Sequence, residues 1–241
     1  MRIGIIGLGT IATAVVKGIA EDGHDIAVSR RSEKNAGHLA GRFGNVTVAD
    51  NQEIVDRSEI VFLGLTEDVA PNVLAALRFR EGQQVISLMA GLDLARVADM
   101  TAPATMAARM IPFPSIATGG SQILAHGDSS LIHALFGARN SIFEIATEEE
   151  LGTYLCAQAV LSPAIRMVKD AADWLAHKGA DPEMAETFLR ELVGSSLLAG
   201  PCDPLLDALD TPGGYNQRLR QHMTGSGMSD RLRDGFDQLL A

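Results

Sequence analysis

Cysteine is nearly absent from this chain. Cys156 and Cys202 fit no C-x-x-C or metal-ligand spacing, which excludes a disulfide scaffold and a thiolate metal centre and leaves two small, reduced hydrophobes as the expectation. The six histidines, at 24, 38, 126, 133, 177 and 222, show no H-x-x-x-H pairing, so no metal is expected. Positive charge is also in short supply: 20 Lys plus Arg stand against 30 Asp plus Glu, a net charge of -10. That field repels a phosphate backbone or an acidic bilayer, and nucleic acid and membrane are not expected as partners. No long apolar run exists near the N-terminus, where four residues after Arg2 are soon followed by Gly7 and Gly9. This is too short for a signal peptide or a span, so a cytoplasmic, reducing location is expected. Repeats, low-complexity tracts and long linkers are lacking as well.

What remains is ordinary globular composition, with 46% hydrophobic and 21% charged residues over 241 positions. This length suits one large domain and a smaller one. Short β-branched apolar runs at 2–6, 25–29, 46–48, 60–65, 84–88, 105–110, 122–125 and 141–144 alternate with helical patterns at 10–21, 33–43, 69–77 and 129–136. Such alternation predicts an α/β domain with a doubly wound parallel sheet. From Glu148 onward the pattern is helical only, with runs at 154–177, 182–198 and 229–240. The boundary is therefore drawn between a sheet domain at 1–147 and an all-helical domain at 148–241. A helical unit this small is marginal by surface-to-volume scaling, which makes a homodimer built through it the expected remedy.

The first strand runs directly into Gly7-Leu8-Gly9-Thr10-Ile11-Ala12 and then into a helix. In this G-x-G-x-x-A pattern, Gly7 makes the tight turn and Gly9 lets the backbone approach a pyrophosphate. Ala12 permits close helix packing, and the N–H groups at Thr10 and Ile11 face the anion. This is the Rossmann-type dinucleotide fingerprint. The second strand ends at Val28-Ser29-Arg30-Arg31, with no acid to accept from a ribose 2′-hydroxyl. A hydroxyl followed by two guanidinium groups suits a 2′-phosphate instead, so NADP(H) is the expected cofactor.

Two further segments stand out. Arg109-Met110-Ile111-Pro112-Phe113-Pro114 ends a strand in a rigid bend where strand carboxyl ends meet a cofactor cleft, which makes Pro112 a candidate contact. Asp210-Thr211-Pro212-Gly213-Gly214-Tyr215-Asn216 sets hydroxyls around a Pro-Gly-Gly turn that opens onto a helical pattern, an arrangement able to hold a carboxylate or to serve as a plain interhelical turn. Glu148-Glu149-Glu150 after Thr147 is read as a helix start, with acids favouring the dipole. Trp174 is read as core or interface.

With these motifs in view, the chain resembles the pyrroline-5-carboxylate reductase family. The resemblance rests on the glycine turn, Asn51, Val85-Ile86-Ser87 leading to Ala90-Gly91, the Arg109 to Pro112 segment, and Thr211-Pro212-Gly213-Gly214, similar to the family's T-S-P-G-G-T-T loop. It implies NAD(P)H-dependent reduction of a cyclic imine in proline biosynthesis and a helical domain that forms the dimer. Asn51, Leu65, Thr66, Ala90 and Gly91 are implied as cofactor contacts. Ser162, Gly213 and Gly214 are implied for the substrate, and Tyr215, Asn216 and Thr211 for catalysis. Thr66 replaces the family's usual Lys. Tyr215 and Asn216 replace two threonines, and the family's S-G-S-G-P-A-Y becomes Ala159-Val160-Leu161-Ser162-Pro163-Ala164-Ile165. These changes imply a pocket of different shape, for pyrroline-5-carboxylate or another small imine or keto substrate with a carboxylate. Two other readings stay open: a hydroxy acid dehydrogenase using Lys169, with Asp173 four residues on, and a catalytically silent NADP-binding paralogue. Tyr215 either donates a proton or packs under the helix that follows it.

Overall fold

The computed structural model describes residues 1–240. Its sheet has eight strands: β1 (Arg2–Ile6), β2 (Asp25–Ser29), β3 (Val46–Ala49), β4 (Ile60–Leu63), β5 (Gln84–Ser87), β6 (Thr105–Pro112), β7 (Gln122–Gly127) and β8 (Ser141–Glu144). Their order is β3-β2-β1-β4-β5-β6-β7-β8. Between them lie α1 (Thr10–Ile19), α2 (Glu33–Arg42), α3 (Asn51–Arg57), α4 (Ala70–Leu74), α5 (Leu94–Thr101) and α6 (Ser130–Phe136). The helices that follow are α7 (Glu148–Ala157), α8 (Leu161–His177), α9 (Pro182–Leu198), α10 (Cys202–Ala208), α11 (Tyr215–Gly225) and α12 (Met228–Leu240). The chain divides into two compact units at Leu151/Gly152.

Why the sheet is covered on both faces follows from its strands. Ile60, Val61, Phe62 and Leu63 are all buried, which only a central strand with helices on both sides allows. Along β1, Ile3 and Ile5 join a core with Val15, Ile19, Leu39, Ile132 and Phe136, whereas Ile6 joins Ile54, Leu74 and Val97 on the other face. Phe62 meets Phe136 edge to face, with ring centroids 6.2 Å apart. Such a pair is worth about 0.5–1.5 kcal/mol beyond its buried area.

The expected all-parallel sheet needs one correction: β7 runs antiparallel to β6, and β8 runs parallel to β7. The connection after β6 holds only a short 3₁₀ turn, Pro114–Ala117. A parallel return requires a crossover of a dozen residues or more, so this short link turns the chain back instead. The helical run expected at 154–177 is also broken, by a 3₁₀ turn at Gln158–Val160. Pro163 lacks the N–H that a continuous helix would bond and its ring clashes with the carbonyl four residues back, so the α-helix restarts at Leu161.

The second unit is built differently. In it α8 packs along α9, and α11 meets α12. Among its described residues the fully buried hydrophobic side chains are Ala172 and Ala185 alone, while Ile165, Met167, Phe188, Leu197 and Leu198 are exposed. Trp174 does not enter a core; it too is exposed, with the Lys178 ammonium 5.7 Å from the centre of its ring.

Candidate functional site

The three residues that open α1 make the site. Gly7 has φ +87°, and a Cβ there would lie 2.5 Å from the carbonyl oxygen of Gly64, so both backbone angle and space require glycine. Gly9 differs: nothing lies within 4 Å of an added Cβ. The side chain is missing over open space, which is what a ligand lying against the backbone needs. Gly9 is also the N-cap of α1, with no side chain capping the helix and no acid in its first turn. The N–H groups of Thr10, Ile11 and Ala12 have no intrahelical acceptor, and the helix end carries partial positive charge. An anion fits this cradle by shape and by charge.

Ser29 ends β2 beside the turn, but its hydroxyl is buried and accepts the N–H of Gly7 at 3.0 Å. It holds the glycine turn in place, which is a different role from the phosphate contact expected of it. Arg30 and Arg31 are exposed just beyond. Arg30 Nε lies 3.1 Å from Asp50 Oδ1, a pair open to solvent on both sides. Exposed pairs are worth about 0–1 kcal/mol, so a phosphate dianion can share or take this guanidinium. Asn51 follows Asp50 as the first residue of α3 and is partly exposed.

Across the switch point between β1 and β4 lie Leu65 and Thr66, partly exposed and exposed. The Thr66 hydroxyl donates to Asp68 and, together with backbone N–H groups and the nearby charge of Arg31, holds that carboxyl below its usual range. After β5, Ala90 and Gly91 are exposed. A Cβ on Gly91 would lie 2.2 Å from Glu67 Oε2, so the turns after β4 and β5 touch. Ala12 and Pro112 are buried. Ala12 supports the close helix contact expected of it, whereas the Pro112 ring, enclosed at the end of β6, presents no surface to a cofactor.

Sequence reasoning missed a charged cluster behind the β5 turn. Arg109 on β6 is 4% exposed and pairs with Glu148, the first residue of α7. The Thr147 and Glu150 reading holds, since the Glu150 N–H donates to Thr147 Oγ1 and Glu150 accepts from the N–H of Ala146. Glu148 instead turns inward. The missed signal was an arginine inside a buried strand, which demands a counter-charge.

In the second unit, Gly213 (φ +75°) and Gly214 form the expected turn ahead of α11. Their N–H groups are already engaged, with Gln217 Oε1 at 2.8 Å and the Thr211 carbonyl at 2.9 Å. Any anion must therefore be held by the first N–H groups of α11, which has neither a capping side chain nor an acid in its first turn. Tyr215 is 90% exposed, which removes the alternative that it packs under α11. Asn216, Thr211 and Ser162 are exposed too, Ser162 in the first turn of α8. Lys169 forms an exposed i, i+4 pair with Asp173 at 2.5 Å. The Asp173 carboxylate raises the Lys169 pKa, keeping it protonated and poor at giving up a proton. Among the described residues no group of His, Cys, Asp and Glu is arranged to hold a metal, and no helix is long and apolar enough to cross a membrane.

A mostly parallel sheet, a glycine turn at its switch point and an uncapped helix define the dinucleotide-binding class of α/β proteins. Residues 2–91 match the family described as NADP oxidoreductase, coenzyme F420-dependent. Pyrroline-5-carboxylate reductase 3 of Rattus norvegicus is 24% identical over 157 residues, covering 60% of this chain and 57% of that protein, so the match spans little more than half of the relative's length. The solved 1-pyrroline-5-carboxylate reductase of Streptococcus pyogenes superposes with a TM-score of 0.86 at 23% identity, over 100% of this chain and 96% of that one. The Plasmodium falciparum pyrroline carboxylate reductase, solved with NADP bound, gives 0.82 at 15% identity over 100% and 95%. Within its class the chain is thus related in sequence to the pyrroline-5-carboxylate reductases and shares their fold.

Proposed function

We propose that this protein is an NADPH-dependent reductase of carbon–nitrogen double bonds, acting on pyrroline-5-carboxylate or another small cyclic imine bearing a carboxylate. The observation that carries the reading is the open cradle at Gly9, with uncapped helix N–H groups in front and two guanidinium groups at the end of β2. The activities named for the related proteins support it. Thr10, Ile11 and Ala12 would bind the pyrophosphate through their N–H groups, and Arg30 and Arg31 the 2′-phosphate. The exposed turns at Leu65–Thr66 and Ala90–Gly91 would flank the nicotinamide half.

Reduced nicotinamide, when bound, supplies a hydride to the imine carbon, and the nitrogen gains one proton to complete the amine. The chain's own groups then need to orient the substrate and deliver that proton. The first turn of α11 is suited to the carboxylate, and the Tyr215 hydroxyl, with Thr211 and Asn216 beside it in sequence, is the donor we assign. Self-association through the exposed helical faces completes the proposal.

The test is oxidation of NADPH, followed by absorbance, against pyrroline-5-carboxylate, carboxylate-free cyclic imines and 2-oxo acids, with NADH run in parallel. Turnover of an imine with NADPH in preference to NADH is the expected result. Binding of NADPH without turnover of any imine would remove the catalytic reading, and turnover of 2-oxo acids alone would replace it.

A further inference from the structure

Arg109 sits on β6 in register with Ser87 of β5 on one side and His126 of β7 on the other. Its guanidinium reaches past the end of β5. Nη2 donates to two successive carbonyls, Met89 at 3.2 Å and Ala90 at 2.6 Å, and Nη1 pairs with Glu148. Nε has no partner among the described residues. The second oxygen of Glu148 accepts the N–H of Leu94, the first residue of α5, at 2.6 Å. His126 Nε2 lies 3.8 Å from that same oxygen, while its Nδ1 is 2.9 Å from the Ile145 carbonyl. One ion pair, its arginine buried and its glutamate partly exposed, therefore grips the β5–α5 connection at both ends, at the Met89 and Ala90 carbonyls and at the Leu94 N–H.

The middle of that connection is the opposite of buried. Ala90 and Gly91 are exposed, and Gly91 is wedged against Glu67. Burying a guanidinium is costly, and a water molecule could satisfy two carbonyls at a surface turn. What the arginine adds is a fixed geometry, since a planar fork bonded to two carbonyls and a carboxylate leaves the turn little freedom. The turn lies at the carboxyl edge of the sheet beyond the switch point, the half of a dinucleotide site opposite the one served by β2.

We propose that Arg109 and Glu148 are positioning residues that preform the Met89–Gly91 turn as one wall of the nicotinamide half-site. This rests on the dinucleotide reading above. The consequence is selective: loosening the clamp weakens binding of a whole dinucleotide and leaves binding of its adenosine half intact.

The experiment measures binding of NADPH and of adenosine 2′,5′-bisphosphate to the full chain, wild type and variant, by calorimetry. Arg109→Met keeps an unbranched apolar stem and removes the guanidinium with its donors. It should weaken NADPH tenfold or more and change the bisphosphate by less than twofold. Glu148→Gln keeps the shape and removes the charge; it should weaken NADPH about threefold with the bisphosphate unchanged, and it decides the matter if Arg109→Met does not fold. Equal losses for both ligands, or no loss for either, would overturn the positioning role. A wild-type protein that binds neither ligand would instead overturn the dinucleotide reading itself.

Discussion

The two units of this chain solve the problem of burying apolar surface in opposite ways. In the first, the large hydrophobic side chains that remain exposed are Met1, Val48 and Phe143, and two cores flank the sheet. In the second, two alanines are buried while leucine, methionine and phenylalanine side chains from α8, α9 and α12 face outward. A groove of about 740 Å³ within that unit, lined by Val160, Pro163, Met167, Met223, Phe236 and Leu239, runs between helices that do not close over it. Contiguous apolar surface of this kind marks an interaction face. The contrast teaches that the sheet unit buries its large apolar side chains within itself, whereas the helical unit leaves most of its own exposed.

The sharpest way to test that contrast is to remove one large side chain from each unit. Phe62→Ala, in the sheet core, should destabilise by about 3–5 kcal/mol in denaturant unfolding. Leu198→Ala, at a side chain 90% exposed, should stay within about 0.5 kcal/mol for the monomeric chain. A large effect of Leu198→Ala that grows with protein concentration would place that residue in an interface. Light scattering addresses the same point directly, with a mass of at least twice 25.5 kDa expected at micromolar concentration; a monomer would leave the open helical faces unexplained by self-association.

Function divides along the same line. Tyr215→Phe keeps the ring and removes the hydroxyl, and it should lower kcat about a hundredfold with unchanged folding stability if this tyrosine donates the proton. A loss below about threefold would pass that role to Asn216, Thr211 or water. In the sheet unit, Arg30→Ala with Arg31→Ala should weaken NADPH tenfold or more, on the order of 1.5–3 kcal/mol for a charge-assisted contact, and leave NADH nearly unchanged. Lys169→Ala should change kcat/KM by less than about twofold. The Asp173 carboxylate already holds that ammonium protonated, and because the raised pKa favours the folded state only while Lys169 is charged, the small stabilisation it gives fades as pH rises through that pKa. A lost activity would revive the hydroxy acid dehydrogenase reading.

The sheet was legible because its strands are buried on both faces and so appear as unbroken β-branched runs, and all eight were located within two residues at either end. Three of the short helices were not, although α4 and α6, no longer than these, fall within the runs expected at 69–77 and 129–136. α3, α5 and α10 span seven or eight residues, too few for periodicity to stand out, although Asp93, which accepts the Arg96 N–H at 2.7 Å, was a visible cap. The reversal of β7 was missed because hydrophobic pattern carries no strand direction, and the short link between the runs at 105–110 and 122–125 was the sign available. At the site, the glycine turn was legible from local chemistry. Glu148 was not, because its partner Arg109 is remote in sequence and nothing in an acidic triplet says which member turns inward.

The placement of β1 carries a consequence for how the protein is made. Arg2–Ile6 precedes both of its sheet neighbours in the chain, yet it lies between β2 and β4, with Ile3 paired to Ile26 on one side and to Ile60 on the other. Until translation has passed β4, one edge of a strongly apolar segment waits without its partner. Pairings this distant in sequence are slow to close, and nascent chains that expose them are prone to sticking to one another. The glycine turn that begins the cofactor site, packed against Gly64, thus reaches its final surroundings only once β4 is in place.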